Sequence, residues 1–373
     1  MGLRVLITNN ALAARRGTEG YVRDIALDLQ QRGHTPLGYS TLLGDVAREL
    51  QMAGVKVVDD LNQLDVAPDI IHGHAHMETM TAVLHFPGVP AIHFCHSSSV
   101  WYDTPVMFPR VLRYVAVDHA CRDRLLHHGV PAEKIRVLFN FVDLARFKMR
   151  SSPLPQKPRR ALLFSNYATE GTHLPVVREA CTKSNLTLEI VGSGKNSALA
   201  EPEKMLGEYD LVFAKARCAL EALAVGAAVV LCDASGVGPM VTAREFERLR
   251  PLNFGIRTLT EPLDASTIVR EIDRYDPRDA AEVSRIVRAS AGLETIVDDL
   301  VELYYEVIEE YRNANNCSVE EEGRAAAAYL RQLKIDFATH GAASMRLRER
   351  VQSIPLLGRW GVRLARKLSG GPN

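Results

Sequence analysis

The stretch at residues 213–233, FAKARCALEALAVGAAVVLCD, constrains the fold of this chain more than any other. Ala, Leu and Glu over 217–225 favour a helix, Gly226 marks its C-terminal end, and an apolar run at 227–231 predicts a strand. The preceding residues, 210–214, are also strand-like. A strand, a helix and a strand in this order predict a unit of parallel sheet in an α/β protein.

Two cations stand at the predicted start of this helix. Lys215 and Arg217 fall in the turn where unpaired N–H groups and the helix dipole favour an anion, and such a pair suits a diphosphate. Glu221 lies one turn further along the face of Arg217, where its carboxylate can accept hydrogen bonds from ribose hydroxyls. The alternative is a core unit in which Arg217 and Glu221 form a helix ion pair and Lys215 is a solvated surface charge.

This stretch resembles the nucleotide site of family 4 glycosyltransferases, enzymes with a B-type fold of two Rossmann-like domains. Those enzymes carry two glutamates, then an Ala-Met-Ala-x-Gly-like run and a Val-Val strand. The matching residues are Glu221, Ala222, Leu223, Ala224, Gly226, Val229 and Val230. Phe213 replaces the earlier glutamate, so the family's acidic contact to the transferred sugar is not implied for this chain.

Length and composition restrict the class of protein. The 373 residues predict two domains, and the 45 basic and 45 acidic residues cancel, so no overall field favours nucleic acid. Six scattered cysteines without a CxxC pair indicate reduced thiols, and the N-terminus lacks the pattern of a signal peptide, which together predict a cytoplasmic protein. The longest uncharged apolar run, at 222–232, is too short to cross a membrane.

The first domain is predicted over residues 1–147, with an apolar strand at 3–8 and a following loop that contains Gly17 and Gly20. In the resemblance, Gly17 belongs to the glycine loop that approaches the donor; the alternative is that both glycines are turn residues only. The GxGxxG of a dinucleotide-binding fold is absent. Further strands are predicted at 55–58, 70–73, 91–94 and 114–117.

Three histidines alternate in the segment PDIIHGHAH at 68–76. This segment and the turn at 94–96 resemble two histidine motifs of the family, which implies that His74 and His96 lie on the acceptor side of the cleft, with His96 near the transferred sugar. The alternative is an ordinary hydrogen-bonded His96, and His72 is expected to be structural. HxHxH also occurs at metal sites, but no acidic cluster with matching spacing accompanies it, so no metal is expected.

The run GVPAEKIRVLFNFVDLARF resembles the family segment that ends the first domain, with Phe141 where glycine is usual. A proline-rich linker at 148–159 and a second domain at 160–312 are predicted to follow. The last helix of that domain is expected to cross back to the first domain. Residues 313–373 are predicted to form a helical extension.

The second domain departs from the family where donor phosphates bind. Strands are predicted at 160–166 and 186–192, and their ends place Asn166 and Gly192 among the donor-binding candidates. The family's Arg and Lys after the first of these strands are missing, so Lys215 and Arg217 are the nearest candidates to neutralise the leaving diphosphate, with Lys195 a third. The segment between the second strand and Tyr209 is also short, which predicts a missing strand and helix.

Two further glycines, Gly236 and Gly238, follow the Val-Val strand. The family places there a loop that contacts phosphate and sugar, and glycine permits close backbone approach. A helix is predicted to begin at Pro239 and to present a second N-terminus to an anion.

The C-terminal end turns basic from Ser344. Residues 344–368 include a predicted amphipathic helix with Trp360, which is typical of a segment that lies on an anionic membrane. The alternatives are packing onto the body of the protein and a frayed end.

The resemblance covers about residues 3–310. It implies a glycosyltransferase that moves a sugar from a nucleotide-diphosphate sugar to a glycan, lipid-linked or small-molecule acceptor, with retention of configuration and without a metal or another cofactor. The alternatives are a non-catalytic sugar-nucleotide or glycan-binding protein of the same fold, and an epimerase or hydrolase acting on a nucleotide sugar. The catalytic candidates are Lys215, Arg217 and His96; the donor-binding candidates are Glu221, Gly17, Gly236, Gly238, Asn166 and Gly192; the acceptor-binding candidates are His74 and His96.

Overall fold

The structure is a computed structural model that describes residues 2–14, 17–192, 201–314 and 318–352, with side chains as far as residue 338. The chain divides into two compact units, one formed by residues 1–106 and 110–314 and the other by residues 107–109 and 315–373. Both sheets belong to the first unit. The second unit contains one long described helix, α11 (Val319–Gln352).

The first half of the first unit is built on a parallel sheet of seven described strands in the order β3-β2-β1-β4-β5-β6-β7. Its central strands are buried except at Arg4, as is typical of a parallel sheet that is covered on both faces. The strands are β1 (Arg4–Thr8), β2 (Thr35–Tyr39), β3 (Lys56–Val58), β4 (Ile70–His74), β5 (Ala91–Cys95), β6 (Val111–Ala116) and β7 (Ile135–Val137). The helices are α1 (Gly17–Gln31), α2 (Asp45–Met52), α3 (His76–His85) and α4 (His119–His127).

The second half is built on a sheet of five described strands in the order β12-β11-β10-β8-β9, parallel except for the antiparallel edge strand β12. The strands are β8 (Arg160–Phe164), β9 (Thr187–Val191), β10 (Leu211–Ala214), β11 (Ala228–Asp233) and β12 (Gly236–Met240). The helices are α5 (Leu174–Lys183), α6 (Ala216–Val225), α7 (Ala243–Leu249), α8 (Ala265–Ile272), α9 (Pro277–Ser290) and α10 (Leu293–Asn313). The predicted α/β architecture with two parallel sheets is confirmed.

The helix α10 returns to the first sheet, as expected. Its Tyr304 hydroxyl is hydrogen-bonded to His72 Nδ1 at 2.5 Å, and Arg113 on β6 donates to Glu306 at 2.7 Å. Where the chain enters α10, the backbone of Val142 accepts from the Leu293 N–H and donates to Ala291. These bonds join the two sheets within one compact unit.

The helix α6 is held firmly at its C-terminal end. Gly226 adopts the left-handed conformation of a C-cap, with φ of 95°. Arg288 on α9 donates to the Ala224 carbonyl at 3.2 Å and to the Phe147 carbonyl at 2.9 Å, and Ser284 donates to Ala224 at 3.2 Å. The C-terminal end of α6 is therefore bonded to α9, and through Arg288 it is linked to Phe147, in the segment that follows the last strand of the first sheet.

Two expectations about local structure are corrected or limited. The helix predicted to begin at Pro239 is wrong: residues 236–240 pair with β11 as an edge strand, where proline is tolerated, and α7 begins only at Ala243 behind a Thr242 cap. The expectation that a strand and a helix are missing between β9 and β10 is limited, because residues 193–200, which include Lys195, lie outside the described residues. From 201 onward the described residues contain two 3₁₀ turns, Pro202–Lys204 and Leu206–Glu208.

The predicted membrane-binding tail is not tested. The side chains of 344–352 and all of 353–368 lie outside the described residues. Among the described helices, none combines the length and the apolar composition that a bilayer crossing requires.

Strained alanines stand at the start of two helices that follow strand ends. Ala75, before α3, has φ of 63°, and Ala216, the first residue of α6, has φ of 51°. The left-handed conformation costs a residue with a Cβ about 1 to 2 kcal/mol. At Ala216 a hydrogen bond from its N–H to the Phe254 carbonyl, at 2.8 Å, holds the conformation in place.

Replacing Ala216 by glycine is expected to leave the free energy of unfolding unchanged or to raise it by up to about 1 kcal/mol, because glycine adopts positive φ without steric cost. Ala281→Gly is the control, since this exposed residue lies inside α9, where glycine costs about 0.5 to 1 kcal/mol. Urea unfolding of both variants and the parent gives the comparison. A loss in Ala216→Gly as large as that in Ala281→Gly would contradict the assigned strain.

Candidate functional site

Arg217, in the first turn of α6, crosses from the second sheet to the first. Its guanidinium donates to Asp24 on α1 and, at 3.4 Å, to the carbonyl of Gly17 at the start of α1. Its Nε donates to Glu221 Oε1 at 2.9 Å. The helix ion pair that the sequence left as an alternative is therefore present, and Arg217 is not a free cation at the helix start.

Asp24 is the centre of this contact. Its side chain is 2% exposed and receives three guanidinium groups: Arg23 Nη2 at 2.6 Å, Arg146 Nη2 at 3.3 Å, and Arg217. We refer to Asp24, Arg23, Arg146 and Arg217 as the Asp24 cluster. A buried carboxylate is stable only when it is paired in this way. Sequence reasoning missed Asp24, although an Arg-Asp pair inside a helix that buries Val22 and Ile25 was a visible signal.

The surroundings keep Arg217 charged. Burial lowers the pKa of its guanidinium, but the carboxylates of Asp24 and Glu221 outweigh that effect and leave the pKa above its usual value. Its guanidinium also lies over the ring of Phe141, 5.6 Å from the centroid. Phe141 stands where the family has glycine, and its ring fills the space beside this arginine. Burial raises the pKa of Glu221, and Arg217 opposes the rise.

His74 and His96 are brought together at the ends of β4 and β5. His74 Nδ1 and His96 Nε2 are 2.6 Å apart, so one ring donates and the other accepts. The ring of Tyr21, on α1, meets both histidines edge-on, with centroids 5.7 and 4.9 Å away. Burial, helped by the charge of Arg217, lowers the pKa of His96 to about 3. The histidine pair is therefore neutral at pH 7.

The remaining histidines of HxHxH have other surroundings. His72 is buried and bonded to Tyr304, in agreement with the structural role expected for it. The His76 ring meets Trp101 edge-on at 4.5 Å. Across the described residues, no three His, Cys, Asp or Glu side chains are grouped as metal ligands.

Asp103 supports the turn that carries His96. Its carboxylate accepts hydrogen bonds from the backbone N–H groups of His96 and Ser97, and Arg124 lies near enough to act on its charge. Burial raises the pKa of Asp103 to about 7, against the lowering effect of these three partners. Arg124 also donates to the Ser97 carbonyl at 2.6 Å. Nothing in the spacing of the sequence indicated this residue.

Lys215 is the N-cap residue of α6 and lies beside the end of β11. Its Nζ is 2.5 Å from Asp233 Oδ2; the lysine side chain is 30% exposed and the carboxylate only 8%. His173, just before α5, is fully buried, and neither of its ring nitrogens has a hydrogen-bond partner within the described chain. Lys215 therefore starts the helix as predicted, but already carries an anionic partner.

The other predicted glycine sites divide into two groups. A Cβ added to Gly17 would meet nothing within 4 Å, whereas one added to Gly20 would lie 3.5 Å from the Arg217 guanidinium. At the end of β9, Gly192 has φ of 104°, and its Cβ would lie 2.8 Å from Asn166 Oδ1. Asn166 and Gly192 are thus neighbours at the carboxyl ends of β8 and β9.

Gly236 and Gly238 have a packing role that the sequence did not indicate. A Cβ on Gly236 would lie 2.7 Å from the carbonyl oxygen of Glu261, and one on Gly238 would lie 2.7 Å from that of Thr258. Both residues are buried in β12. Their close backbone approach is to another part of this chain.

A cavity of about 500 Å³ adjoins the Asp24 cluster. Its lining includes Arg23, Asp24 and Arg146 from the cluster, with Arg288 and Thr295 from α9 and α10. This volume lies within the range of small-molecule sites, roughly 300 to 1,000 Å³.

Comparison with known proteins agrees with the resemblance seen in the sequence. Residues 56–146 match the model of Glycosyltransferase Family 4. A comparison with curated proteins gives no match.

Solved structures with the same fold include three that align with most of this chain. A glycosyltransferase from Rickettsia africae ESF-5 has 14% identity and a TM-score of 0.59, covering 84% of this chain and 100% of its own. Anabaena Alr3699/HepE in complex with UDP-glucose has 16% identity and a TM-score of 0.59, covering 82% and 100%. Sucrose-phosphate synthase (tll1590) from Thermosynechococcus elongatus has 13% identity and a TM-score of 0.57, covering 82% and 100%. At this identity the likeness shows the fold, which is that of B-type glycosyltransferases.

Asp24→Asn is expected to lower the free energy of unfolding by about 3 kcal/mol, because removing one partner of a buried ion pair leaves the others uncompensated. Asp298→Asn is the control: Asp298 pairs with Arg32, the residue that follows α1, but is 68% exposed, and exposed pairs contribute at most about 1 kcal/mol. Urea unfolding at pH 7 measures both. Equal losses in the two variants would show that the Asp24 cluster does not hold the sheets together.

Proposed function

We propose that this protein is a glycosyltransferase that transfers a sugar from a nucleoside-diphosphate sugar to a glycan, lipid-linked or small-molecule acceptor. The observation that carries the proposal is the convergence of the starts of α1 and α6 between two Rossmann-like sheets, with Arg217 spanning the two helix starts. Helix N-termini offer unpaired N–H groups and favourable dipoles to phosphate.

In this proposal, Lys215 is the cation that contacts the donor diphosphate. Its side chain is the more exposed of the two candidates, 30% against 14% for Arg217. Arg217 is held by Asp24 and Glu221, so it contributes a fixed positive field beside the site. Charge developing on the leaving diphosphate is stabilised by such preorganised groups.

Glu221 is the candidate for the donor ribose. Its Oε1 accepts from Arg217, which leaves Oε2 for a ribose hydroxyl. The second oxygen of a carboxylate oriented by an arginine is well placed for this task, because its position is fixed before the donor arrives. Gly17, Asn166 and Gly192 remain donor-side candidates at the neighbouring strand and helix ends.

The His74–His96 pair is the candidate for the acceptor or the transferred sugar. Because burial keeps both rings neutral, they serve as hydrogen-bonding groups rather than as cations. The reaction proposed is the retaining one: the leaving diphosphate helps to remove the acceptor proton on the face that it departs from, and no metal or other cofactor takes part.

One observation favours a second candidate, a non-catalytic sugar-nucleotide or glycan-binding protein. Phe213, in place of the family's first glutamate, is fully buried in β10 and offers no polar group to a sugar. A protein of this kind would bind a nucleotide sugar without turning it over.

Titration calorimetry with UDP-glucose, UDP-N-acetylglucosamine and GDP-mannose is expected to reveal one donor whose affinity falls about tenfold in Lys215→Ala, as for the loss of one charge-assisted contact of about 1.4 kcal/mol. Lys183→Ala is the control, because Lys183 is an exposed lysine on α5 paired with Glu179. Incubation of the best donor with an acceptor panel, read by NMR, is expected to give a product of retained configuration.

Equal affinity in the parent and Lys215→Ala would remove Lys215 from the site. Donor binding without turnover on any acceptor would support the non-catalytic candidate. An inverted product would contradict the retaining reaction.

A further inference from the structure

We propose that the acceptor of this protein carries a phosphate group, and that this group binds in an open cavity beside His96, where Arg124 and Arg257 neutralise it. The inference rests on the proposed function, because it concerns the acceptor of that reaction. It goes beyond it by naming a chemical group that the acceptor carries and the two arginines that recognise it. A sugar phosphate and a lipid phosphate share this group, and the experiment separates the two sources.

The cavity has a volume of about 370 Å³, which lies within the range of small-molecule sites. It is lined by Ser98, Ala120, Asp123, Arg124, His127, His128 and Arg257. All of these except Arg257 belong to the first half of the unit: Ser98 follows β5, and the others lie on α4 or directly after it. None of the donor-binding candidates lines the cavity. The cavity therefore belongs to the acceptor side.

Ser98 places the cavity next to His96, the acceptor-binding candidate. The two residues are separated by Ser97 alone, so their Cα atoms are at most about 7 Å apart. Arg124 donates to the Ser97 carbonyl at 2.6 Å, and this bond holds the turn against the cavity wall. A phosphate in the cavity and a hydroxyl group at His96 can therefore belong to one acceptor molecule.

Arg257 reaches the cavity from the second half. It lies in a 3₁₀ turn, Ile256–Thr258, which follows Phe254 after one residue. The Phe254 carbonyl accepts from the N–H of Ala216, the first residue of α6, at 2.8 Å. The arginine of the cavity is thus joined by a short segment to the start of the candidate donor helix. An acceptor bound through it is held close to the donor, as a transfer between two substrates requires.

The charges of the cavity favour an anion. Arg124 donates to Ser97 and, at 3.3 Å, to Thr104 Oγ1, which uses two of its five N–H groups. Its guanidinium has no carboxylate within ion-pair distance among the described side chains. Arg257 is paired with Asp123 at 2.5 Å. With neutral histidines, the two arginines and one aspartate of the lining give a net charge of plus one.

A phosphate suits this set of groups better than a carboxylate does. Its three acceptor oxygens can take hydrogen bonds from two guanidinium groups on different elements at once. The Ser98 hydroxyl and the His127 ring form no hydrogen bond with a described residue, so both can serve as further donors. A phosphate monoester carries a charge of about −1.5 to −2 at pH 7, which lets it compete with Asp123 for Arg257.

The test is calorimetric titration of the full chain at pH 7 with glucose 1-phosphate and with octyl phosphate. Each is compared with an uncharged counterpart, methyl glucoside or octyl glucoside. We expect the parent to bind one of the phosphates at least about tenfold more tightly than its counterpart, as for one or more charge-assisted contacts. Tighter binding of glucose 1-phosphate would indicate a sugar phosphate as the acceptor, and tighter binding of octyl phosphate a lipid phosphate.

In Arg257→Gln the affinity for the bound phosphate is expected to fall about tenfold, through loss of one charge-assisted contact. Asp123→Asn is expected to raise it about fivefold, because the change removes a repulsive charge and frees Arg257. The two side chains are 44% and 50% exposed, so neither change endangers folding. Arg122→Gln is the matched control: Arg122 is an exposed arginine of α4 outside the cavity, and its loss is expected to keep the parent's affinity.

Equal affinity for the phosphates and their uncharged counterparts overturns this inference. Losses of the same size in Arg122→Gln and Arg257→Gln also overturn it, because they would show only a general attraction to basic side chains. Weaker phosphate binding in Asp123→Asn overturns it as well.

Titration with the nucleotide sugars separates this inference from the proposed function. A parent that binds a nucleotide sugar but neither phosphate overturns the inference and leaves the proposed function intact. A loss of donor affinity in Arg257→Gln as large as that in Lys215→Ala would place the cavity in the donor site and overturn the inference alone. A parent that binds a phosphate but no nucleotide sugar overturns the proposed function, and with it the cavity's role in acceptor binding.

Discussion

The burial of one carboxylate among three guanidinium groups is the constraint on which the arrangement of this protein depends. Asp24 is buried, and its carboxylate is compensated there by ion pairs with Arg23, Arg146 and Arg217. Arg23 lies on α1, Arg146 in the segment after β7, and Arg217 on α6. Because all three arginines pair with the same carboxylate, the Asp24 cluster fixes the separation between α1, which packs on the first sheet, and α6, the candidate donor helix of the second.

Pairing between cations and carboxylates is also found at the candidate donor site. Both cations at the start of α6 are paired with carboxylates, Arg217 with Asp24 and Glu221, and Lys215 with Asp233. Under the proposed function, an incoming diphosphate competes with these carboxylates rather than entering an empty positive pocket. The competition is uneven, because the Arg217 side chain is more deeply buried and has two carboxylate partners, whereas Lys215 has one and is partly exposed.

Periodicity and turn residues were sufficient for the architecture. The apolar strands and the Gly226 stop predict the helix α6 and its flanking strands, since buried parallel strands and left-handed C-caps leave strong local signals. They were not sufficient for the site. The Arg-Asp pair at 23–24 is visible in the sequence, but nothing local shows that Arg146 and Arg217, from distant segments, also pair with Asp24. Asp103 owes its place in the site to the fold of the turn at His96 and Ser97, which its spacing does not reveal. Pro239 misled for a related reason: its preference for a helix start was overridden by the pairing of residues 236–240 with β11.

The attachment of α6 to its surroundings has a mechanical consequence. At its C-terminal end, Arg288 and Ser284 of α9 donate hydrogen bonds to the Ala224 carbonyl, and Arg288 also donates to the Phe147 carbonyl. At its front, Lys215 and Arg217 form ion pairs, and the Ala216 N–H donates to the Phe254 carbonyl. Arg217 is buried against Asp24 and Glu221, so both ends of this ten-residue helix are anchored. A change of partner at the Lys215 side chain can therefore take place without carrying the helix axis with it.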